Sequence, residues 1–335
     1  MKHVTHGRVV VITGASSGIG RATALKFAEH GDSLVLAARR KNLLKDLVNE
    51  CKKFDGEAVA VETDVASESD VQKLAKVAMN EFGRIDVWIN DAGVSAVGKF
   101  QDVKPEEHAR VIETNLNGVI YGSHAALKVF KKQGRGTLIN ISSVLGKVTQ
   151  PYMTSYAASK HGVRALSSAI RQELWLDEEE DIHVCTIFPQ SIDTPFFDHE
   201  ANRTGHKVKP APPIETPEKA AEIIFEAAQN PRDEVHVGKM GKWMGMQQRL
   251  SRNLTEKQMA AFTERKHFDR NTRERPNSGN LFKTSRSEHG DIRGGWKNGS
   301  RVPKPVSAIA VAAPAAVGIY LLLKNRKSSQ LRAAA

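Results

Sequence analysis

Tyr156 and Lys160 stand four residues apart in the segment TSYAASK, in which the lysine is the only charged residue. A free phenol loses its proton near pH ~10 and a free ammonium near ~10.4, so neither exchanges protons at neutral pH unless a neighbour shifts its pKa. The pattern of apolar residues predicts a helix, on which residues four apart share a face. Because an ammonium beside a phenol favours the phenolate, the pair is predicted to exchange a proton with a substrate. The alternative is a packed aromatic next to a solvated lysine.

The stretch TGASSGIG, residues 13–20, lies between a predicted strand and a predicted helix. Its glycines allow a tight turn and a close approach of the backbone to a ligand, and the helix N-terminus offers free N–H groups to a pyrophosphate. The stretch predicts a dinucleotide site, the alternative being a tight turn that binds nothing. The loop residues assigned to the cofactor are Gly14, Ser16, Ser17, Gly18, Ile19 and Gly20.

The end of the second predicted strand, AARRK, bears on the choice of cofactor. An acidic residue there would bind a ribose 2′-hydroxyl, whereas an arginine would bind a 2′-phosphate. No acid is present, so NADP(H) is favoured over NAD(H), with Arg39 as the specific ligand. Arg40 and Lys41 are interpreted as a solvated helix start. Asp64 and Val65, at the end of the third predicted strand, are expected near the adenine.

The elements that must position these residues alternate regularly up to residue 238. Apolar runs separate helical stretches, and they are RVVVITG, SLVLAA, AVAVETDV, IDVWINDAG, GTLINISS and IHVCTIFPQ, with EVHVGK as a candidate edge strand. Apolar strands that alternate with helices indicate a parallel sheet with helices on both faces. Residues 1–238 are therefore predicted to form a doubly wound α/β domain of the Rossmann type.

Five motifs in one order make this domain resemble the short-chain dehydrogenases/reductases over about residues 5–238. They are TGASSGIG, NDAG at 90–93, Asn115 in ETNLNG, ISS at 141–143, and YAASK, which begins thirteen residues after Ser143. Two positions depart from the family pattern. Asp91 replaces the second Asn of an NNAG turn, and Gln190 stands where a glycine is usual.

The resemblance implies a role for each catalytic residue. Ser143 would bond the substrate carbonyl, and Tyr156 would donate a proton to its oxygen as hydride reaches the carbon. Lys160 would lower the tyrosine pKa and bind the nicotinamide ribose, and Asn115 would hold a water that links Lys160 to solvent. Ser142 is interpreted as structural. The resemblance also implies cofactor contacts from Asn90, Ala92, Gly93, Tyr156, Lys160, Pro189 and Thr194, and a homo-oligomer.

The segment between Ser191 and Thr216 reads as a loop, which in this family closes over the substrate. Its two aromatic residues and three apolar residues nearer Tyr156 predict an apolar pocket for a small hydrophobic ketone or alcohol, the alternative being ordinary packing of a lid. These residues are Val144, Leu145, Met153, Phe196 and Phe197.

The formal net charge of +11 is confined to the C-terminal part of the chain. Residues 239–335 carry 20 Lys and Arg against 6 Asp and Glu, whereas residues 1–238 carry 29 against 32. A basic groove on the main domain is therefore not supported, which argues against nucleic acid as the partner. Cys51 and Cys185 form neither a disulfide framework nor a metal-binding spacing, so a reducing compartment and no metal are expected.

Beyond the main domain the sequence divides into four segments. Residues 239–268 are predicted to be a helical extension, residues 269–305 a basic flexible linker, and residues 324–335 a basic tail. Residues 306–323 carry no charge and would span roughly 27 Å as a helix, close to the ~30 Å core of a bilayer. They predict a single membrane span with the catalytic domain on the cytoplasmic side, and basic flanks that attract anionic lipid. A buried helix, which would leave the protein cytoplasmic, is the alternative.

The sequence as a whole predicts an NADP(H)-dependent oxidoreductase that interconverts a carbonyl and an alcohol, tethered to a membrane and acting on a lipophilic substrate. Two alternatives remain open at this point. One is a dinucleotide-binding sensor or scaffold without turnover, and the other is a nucleic-acid binder that uses the basic tail.

Overall fold

The computed structural model describes residues 7–284 and 290–297. The strands in the described part are β1 (Val9–Thr13), β2 (Ser33–Ala38), β3 (Ala58–Glu62), β4 (Val87–Asn90), β5 (Ala96–Val97), β6 (Gly136–Ile141), β7 (Ile182–Pro189), β8 (Ser191–Ile192), β9 (Ala201–Asn202), β10 (His206–Val208), β11 (Ile214–Glu215), β12 (Glu234–Val237) and β13 (Phe268–Arg273).

The helices are α1 (Gly18–Glu29), α2 (Lys41–Cys51), α3 (Glu68–Phe82), α4 (Pro105–Ile112), α5 (Gly118–Gln133), α6 (Thr154–Leu176), α7 (Phe196–His199), α8 (Pro217–Gln229), α9 (Met240–Leu250) and α10 (Arg252–Lys266). A π-helical turn, Glu113–Asn117, joins α4 to α5, and a 3-10 turn, Val144–Gly146, follows β6.

Seven parallel strands form the main sheet in the order β12-β7-β6-β4-β1-β2-β3. The strand order reverses beside β1, so β1 and β4 flank the crevice where a doubly wound sheet binds its ligand. All seven runs predicted as strands lie in this sheet, and the predicted α/β Rossmann-type fold is confirmed.

Helices cover both faces of the sheet. One face packs against α1, α2 and α8, with Phe27, Leu44 and Phe225 in its core. The other face packs against α3, α5 and α6, with Leu74 and Phe130 in its core. Burial on both sides explains why the strands read as continuous apolar runs rather than as alternating patterns.

The segment predicted as a loop between Ser191 and Thr216 contains five short elements instead. Of these, β8 pairs with β11, β9 pairs with β5, and β10 pairs with β13. The pairings are two or three residues long and rest on main-chain hydrogen bonds, which leave no pattern in the sequence. The substrate side of the domain is therefore more ordered than the sequence indicated.

The predicted helical extension is present as α9 and α10. The prediction of a flexible linker from residue 269 is wrong where the structure describes that segment. Residues 268–273 form β13, and residues 277–284 and 290–297, which we call the strap, pack on the main domain. Two large apolar side chains, Leu281 and Trp296, are buried there. Because apolar residues are so few in this polar segment, the sequence showed no apolar pattern that would predict its packing.

Within the described residues no helix is both long enough and apolar enough to cross a bilayer. The predicted span 306–323 and the tail 324–335 lie outside the described residues.

Candidate active site

The glycine turn after β1 brings three parts of the predicted site together. Gly14 has a φ of +74°, and a side chain on it would come within 2.8 Å of the main-chain N of Ala92. Gly18 has a φ of +57°, and a side chain on it would come within 3.2 Å of Thr194. Only glycine tolerates both the positive φ and the close approach. The helix N-terminus therefore faces the residues expected at the nicotinamide end.

The NDAG turn after β4 is held by a side chain of β1. Thr13 Oγ1 accepts hydrogen bonds from the main-chain N–H groups of Asp91 and Ala92, at 3.1 and 3.3 Å. Asn90 does not point at the cofactor crevice with its side chain. Its amide bonds Trp88 Nε1 and Asn140 Oδ1 inside the core. The Asn90 side chain therefore holds β4 to β6, which leaves its main chain for the predicted cofactor contact.

Charged side chains surround the expected adenine position. Arg110 Nη2 donates to Asp64 Oδ2 at 2.5 Å, and Asp64 Oδ1 accepts from the main-chain N of Ala66. Burial lowers the pKa of the Arg39 guanidinium, the Asp64 charge opposes this shift, and the Arg110 charge adds to it. Val65 is buried against Gly118. Arg110 was not identified from the sequence, because it belongs to none of the motifs and its partner Asp64 is 46 residues away along the chain.

Arg40 is not a solvated side chain, contrary to the prediction. Its Nη2 donates to the hydroxyl oxygens of Ser16 and Ser17, at 3.0 and 2.8 Å. Both predicted serine contacts are thus fixed by a guanidinium at the rim of the glycine turn. The two adjacent arginines in AARRK were the available signal, and the prediction used only the first of them.

Three of the predicted catalytic residues, Ser143, Tyr156 and Lys160, are brought together between β6 and α6. Lys160 is buried, and its Nζ donates to the main-chain oxygen of Ile141 at 2.8 Å and lies 5.7 Å from the centre of the Tyr156 ring. The hydroxyl of Ser143 lies beside Tyr156, where its hydrogen bond acts on the tyrosine pKa. Ser142 Oγ donates to the main-chain oxygen of Lys160 at 2.9 Å, which agrees with a structural role.

Asn115 lies in the π-helical turn between α4 and α5 and is fully buried. Its side-chain amide bonds both main-chain groups of Val94, at 2.8 and 2.9 Å, and donates to Ser159 Oγ at 3.2 Å. A side chain on Gly93 would lie 3.6 Å from Asn115 Oδ1 and 3.8 Å from Lys160 Nζ. Asn115 and Lys160 therefore both border Gly93, and π-helical turns are frequent at functional positions.

The electrostatics of the tyrosine differ from the prediction. Burial raises the pKa of Tyr156, the Glu200 and Asp91 carboxylates raise it further, and only the Ser143 hydrogen bond lowers it. The net shift of the Tyr156 pKa is therefore upward, opposite in direction to the lowering predicted from the neighbouring ammonium alone. Burial outweighs the effect of a single charge at this distance.

Lys160 has an acidic partner that the family pattern lacks. Burial lowers the pKa of the Lys160 ammonium to about 8, and the Asp91 charge opposes that shift. Burial raises the pKa of Asp91 to about 7, while Lys160 and the main-chain N–H of Gly20 lower it. The departure from NNAG to NDAG thus places a second ionisable group beside the catalytic lysine.

An apolar cluster lies against Tyr156. It contains Val144, Leu145 and Met153 as predicted, together with Met244 of α9, Met259 of α10 and Phe268 of β13. Phe197 packs on the cluster, and the Phe196 ring lies 5.9 Å from the Tyr156 ring. The helical extension therefore contributes to the substrate side of the site, which the sequence did not reveal.

Glu200 is a buried acid near the catalytic tyrosine that sequence reasoning missed. Within the described chain neither carboxylate oxygen has a hydrogen-bond partner, although the Ser95 hydroxyl beside it partly lowers its pKa. Burial raises that pKa to about 8. Such a group in a lid segment is indistinguishable by sequence from a solvated glutamate. No set of three His, Cys, Asp or Glu side chains in the described part could hold a metal.

Gln190 follows Pro189 at the end of β7, where the nicotinamide end is expected. Gln190 Oε1 accepts from the main-chain N of Met240, and Gln190 Nε2 donates to Pro213 O at 3.1 Å. Gln190 in place of glycine therefore ties the end of β7 to the start of α9. Gly238, with a φ of +93°, makes room for it, because a side chain there would come within 2.2 Å of the glutamine.

Comparison with known proteins identifies the family. Residues 8–204 match the short chain dehydrogenase family model. The chain is 38% identical over 259 residues to an uncharacterised oxidoreductase of Bacillus subtilis, YxnA, covering 75% of this chain and 71% of that protein. The chain therefore belongs to the short-chain dehydrogenase/reductase family of oxidoreductases, which bind NAD(H) or NADP(H).

Solved structures show the same fold. A short-chain dehydrogenase/reductase of Burkholderia phymatum in complex with NAD superposes with a TM-score of 0.68 at 27% identity, over 76% of this chain and 97% of that one. An alcohol dehydrogenase of the archaeon Thermococcus sibiricus, complexed with 5-hydroxy-NADP, gives a TM-score of 0.61 at 27% identity, over 69% and 96%. The two relatives bind different dinucleotides, so the likeness alone does not decide between them.

Proposed function

We propose that this protein is an NADP(H)-dependent oxidoreductase that interconverts a carbonyl and an alcohol on a lipophilic substrate. The observation that carries the proposal is the assembly of Ser143, Tyr156, Lys160 and Asn115 at one corner of the carboxyl edge of the sheet. A sensor or scaffold without turnover has no need of buried proton-transfer groups in this arrangement.

In the reducing direction the bound cofactor supplies a hydride to the carbonyl carbon. Ser143 and Tyr156 lie together and are placed to bond the carbonyl oxygen. Because burial raises the pKa of Tyr156, the phenol keeps its proton at neutral pH and can donate it as charge develops on that oxygen.

Lys160 and Asn115 are placed to return the proton. The Lys160 ammonium, with a pKa of about 8, is mainly protonated at neutral pH and exchanges protons readily near it. Asn115 bonds Ser159, whose hydroxyl donates to the main-chain oxygen of Tyr156 at 2.7 Å. This contact links the amide to the helix that carries both catalytic side chains, and a water held near Gly93 would connect Lys160 to solvent.

The choice of NADP(H) is supported by charge at the adenine end. β2 ends without an acid that would repel a phosphate, and Arg39 and Arg40 follow it. Arg40 donates hydrogen bonds to the hydroxyls of Ser16 and Ser17. The guanidinium groups of Arg39 and Arg40 therefore border the place where a 2′-phosphate would lie. Charge-assisted bonds of this kind favour a phosphate over a hydroxyl.

The lipophilic substrate is supported by the apolar cluster beside Tyr156. Met244 and Met259 are flexible side chains that accommodate varied apolar shapes, and both pack in that cluster. The substrate class proposed is therefore a hydrophobic ketone or aldehyde and the corresponding alcohol.

The proposal is tested by following oxidation of NADPH and of NADH by the full chain, in mild detergent, with carbonyl compounds of increasing alkyl length. We expect turnover with NADPH that rises with chain length and disappears in Tyr156→Phe. Tyr121→Phe, which changes a tyrosine of α5 away from the catalytic corner, is the matched control. Tight NADPH binding without turnover on any carbonyl would favour the sensor.

We also propose that residues 306–323 anchor the protein in a membrane with the catalytic domain on the cytoplasmic side, and that the enzyme is a homo-oligomer. The anchor is supported by eighteen uncharged residues between basic flanks. We expect the full chain to be recovered in salt-washed membranes and a chain lacking residues 306–335 to be recovered in the supernatant. Equal recovery of both chains in the supernatant would contradict the anchor.

The oligomer is supported by Trp175 and Leu176, which are 68% and 84% exposed at the end of α6.

A further inference from the structure

The two described segments of the strap, residues 277–284 and 290–297, lie at opposite ends of the predicted cofactor crevice. The strap contacts the predicted site at the adenine end, at the glycine turn, and at the nicotinamide end. The family match ends at residue 204, so the strap lies outside the part of the chain that the family model describes.

At the adenine end the strap contacts the arginine assigned to the 2′-phosphate. Arg39 Nη2 donates to the main-chain oxygen of Asn280 at 2.6 Å, and Arg39 Nη1 donates to that of Leu281 at 3.2 Å. Arg110 Nε also donates to the Leu281 oxygen, at 3.0 Å. Because a guanidinium has five N–H donors, the two strap carbonyls fix the orientation of Arg39 without using all of its donors.

At the glycine turn the strap lies so close to the main chain of Ser16 that only a glycine fits at position 290. A side chain on Gly290 would come within 2.7 Å of the main-chain oxygen of Ser16. The next residue, Asp291, accepts a hydrogen bond at its main-chain oxygen from the N–H of Gly18, at 3.0 Å. No acceptor from the described part of the chain binds the N–H of Ile19, which leaves that group of the helix N-terminus for a pyrophosphate.

At the nicotinamide end the strap is bonded to the segment after β8. Asp193 Oδ1 accepts from the main-chain N of Trp296 at 2.7 Å, and Trp296 Nε1 donates to the main-chain oxygen of Thr194 at 3.2 Å. The Trp296 ring also packs on Phe197, 6.3 Å between ring centres. Thr194 is thereby held between the strap and Gly18.

Buried side chains anchor the strap on either side of the crevice. Leu281 is fully buried in a cluster with Val94 and Val111, and Trp296 is 3% exposed. Ser278 Oγ donates to Glu107, a buried carboxylate that is also paired with Arg203. Anchors of this kind indicate a wall that stays docked while the cofactor is bound, rather than a peptide that the cofactor displaces.

We propose that the strap is the outer wall of the NADP(H) site, and that the carbonyls of Asn280 and Leu281 are positioning groups that hold Arg39 against the 2′-phosphate. The inference rests on the proposed function, because it requires a bound dinucleotide. Two consequences follow. Cofactor release requires the strap to move, so dissociation is slow, and the preference for NADPH over NADH depends on Leu281 as well as on Arg39.

The experiment compares two strap variants and one control in the full chain. Leu281→Ala loosens the adenine-end anchor, Trp296→Ala loosens the nicotinamide-end anchor, and Phe282→Ala changes a neighbouring side chain that is 50% exposed. Release of NADPH is timed by chasing the complex with excess NADP⁺ and following nicotinamide fluorescence. Dissociation constants for NADPH and NADH are then measured, with the thermal midpoint as the check on folding.

We expect Leu281→Ala to speed NADPH release by about tenfold and to shrink the ratio of the two dissociation constants by a similar factor. Trp296→Ala should speed release without changing the ratio, because it acts far from Arg39. Phe282→Ala should match the wild type in both. Should Leu281→Ala fail to fold, the release rate of Trp296→Ala still decides whether the strap is a wall.

Three results would overturn the inference. Folded strap variants with wild-type release rates would mean that the strap only stabilises the fold. Slower release or tighter NADPH binding in Leu281→Ala would mean that its carbonyls compete with the phosphate for Arg39. Faster release from Phe282→Ala as well would mean that the effect is not specific to the anchors. A wild-type chain that binds neither dinucleotide would instead overturn the proposed function itself.

Discussion

The catalytic corner and the adenine end are built in different ways, although both lie at the carboxyl edge of one sheet. At the catalytic corner, side chains of Asn115, Ser143, Tyr156 and Lys160 meet within a stretch of 46 residues, and they come from elements that the family motifs mark. At the adenine end, Arg39 is held by main-chain carbonyls about 240 residues further along the chain.

The difference teaches where a family motif stops being informative. Catalysis needs particular side chains at particular places, so the residues of the catalytic corner can be recognised from sequence motifs. Shape and retention need only a carbonyl oxygen or a buried apolar side chain, which many sequences supply. We therefore expect catalysis to respond sharply to single substitutions in the corner, and cofactor preference to respond to substitutions spread over distant segments.

The largest effect should come from removing the catalytic phenol. Tyr156→Phe deletes the proton donor while keeping the ring that packs near Phe196, so turnover should fall by roughly a thousandfold or more, within the ~10²–10⁴ range for general acids. The NADPH dissociation constant should change little. Steady-state kinetics and fluorescence titration measure the two quantities, and parallel loss of both would mean that Tyr156 serves binding rather than chemistry.

Next in size is the arginine at the adenine end. Arg39→Ala should weaken NADPH binding by roughly tenfold to a hundredfold, as expected for loss of ~1.5–3 kcal/mol of charged hydrogen bonding, and should affect NADH far less. Lys41→Ala removes the same charge from an exposed position nearby and is the matched control. Equal losses for the two dinucleotides would show that Arg39 supports the strap and does not read the phosphate.

The third effect concerns Glu200, whose buried carboxyl should change how the free energy of unfolding depends on pH. The pKa of Glu200 is raised from 4.5 to about 8, so its contribution to stability is present below pH 4.5 and is lost as pH rises toward 8. Glu200→Gln should therefore stabilise the fold by on the order of 2 kcal/mol at pH 7 and by little at pH ~4.5. Urea unfolding at both pH values tests this, with the exposed Glu173→Gln as control, and a gain at acid pH alone would contradict it.

The smallest effect should be a shift in the pH profile. The Asp91 charge raises the pKa values of both Lys160 and Tyr156, so Asp91→Asn should lower both. The alkaline limb of the reductive kcat/KM profile should move to lower pH by roughly half a unit to one unit, as expected for loss of one nearby charge. An unchanged limb would mean that Asp91 does not act on the proton-transfer groups.

Much of the fold and the catalytic corner could be predicted from the sequence. The seven buried parallel strands read as apolar runs because helices cover them on both faces. Tyr156 and Lys160 were placed together by their spacing, and Ser143 was placed beside them by the family resemblance. The direction of the Tyr156 pKa shift could not be predicted. It depends on burial and on Glu200 and Asp91, and neither burial depth nor distance is encoded in a local pattern.

The C-terminal part was the least predictable. Its polar composition is typical of a linker, yet β13 pairs with β10, and Leu281 and Trp296 supply enough buried surface to dock the strap. Arg40 was misjudged for a related reason. Whether an arginine is solvated depends on partners such as Ser16 and Ser17 that only the fold brings near.

The most direct test of the account is a titration of the full chain with NADPH and with NADH at one ionic strength. The account predicts tighter binding of NADPH, by about tenfold or more, because a phosphate gains charged hydrogen bonds that a hydroxyl does not. Equal affinity, or a preference for NADH, would contradict the assignment of Arg39 and the strap to a 2′-phosphate site, while leaving the catalytic corner to be judged by Tyr156→Phe.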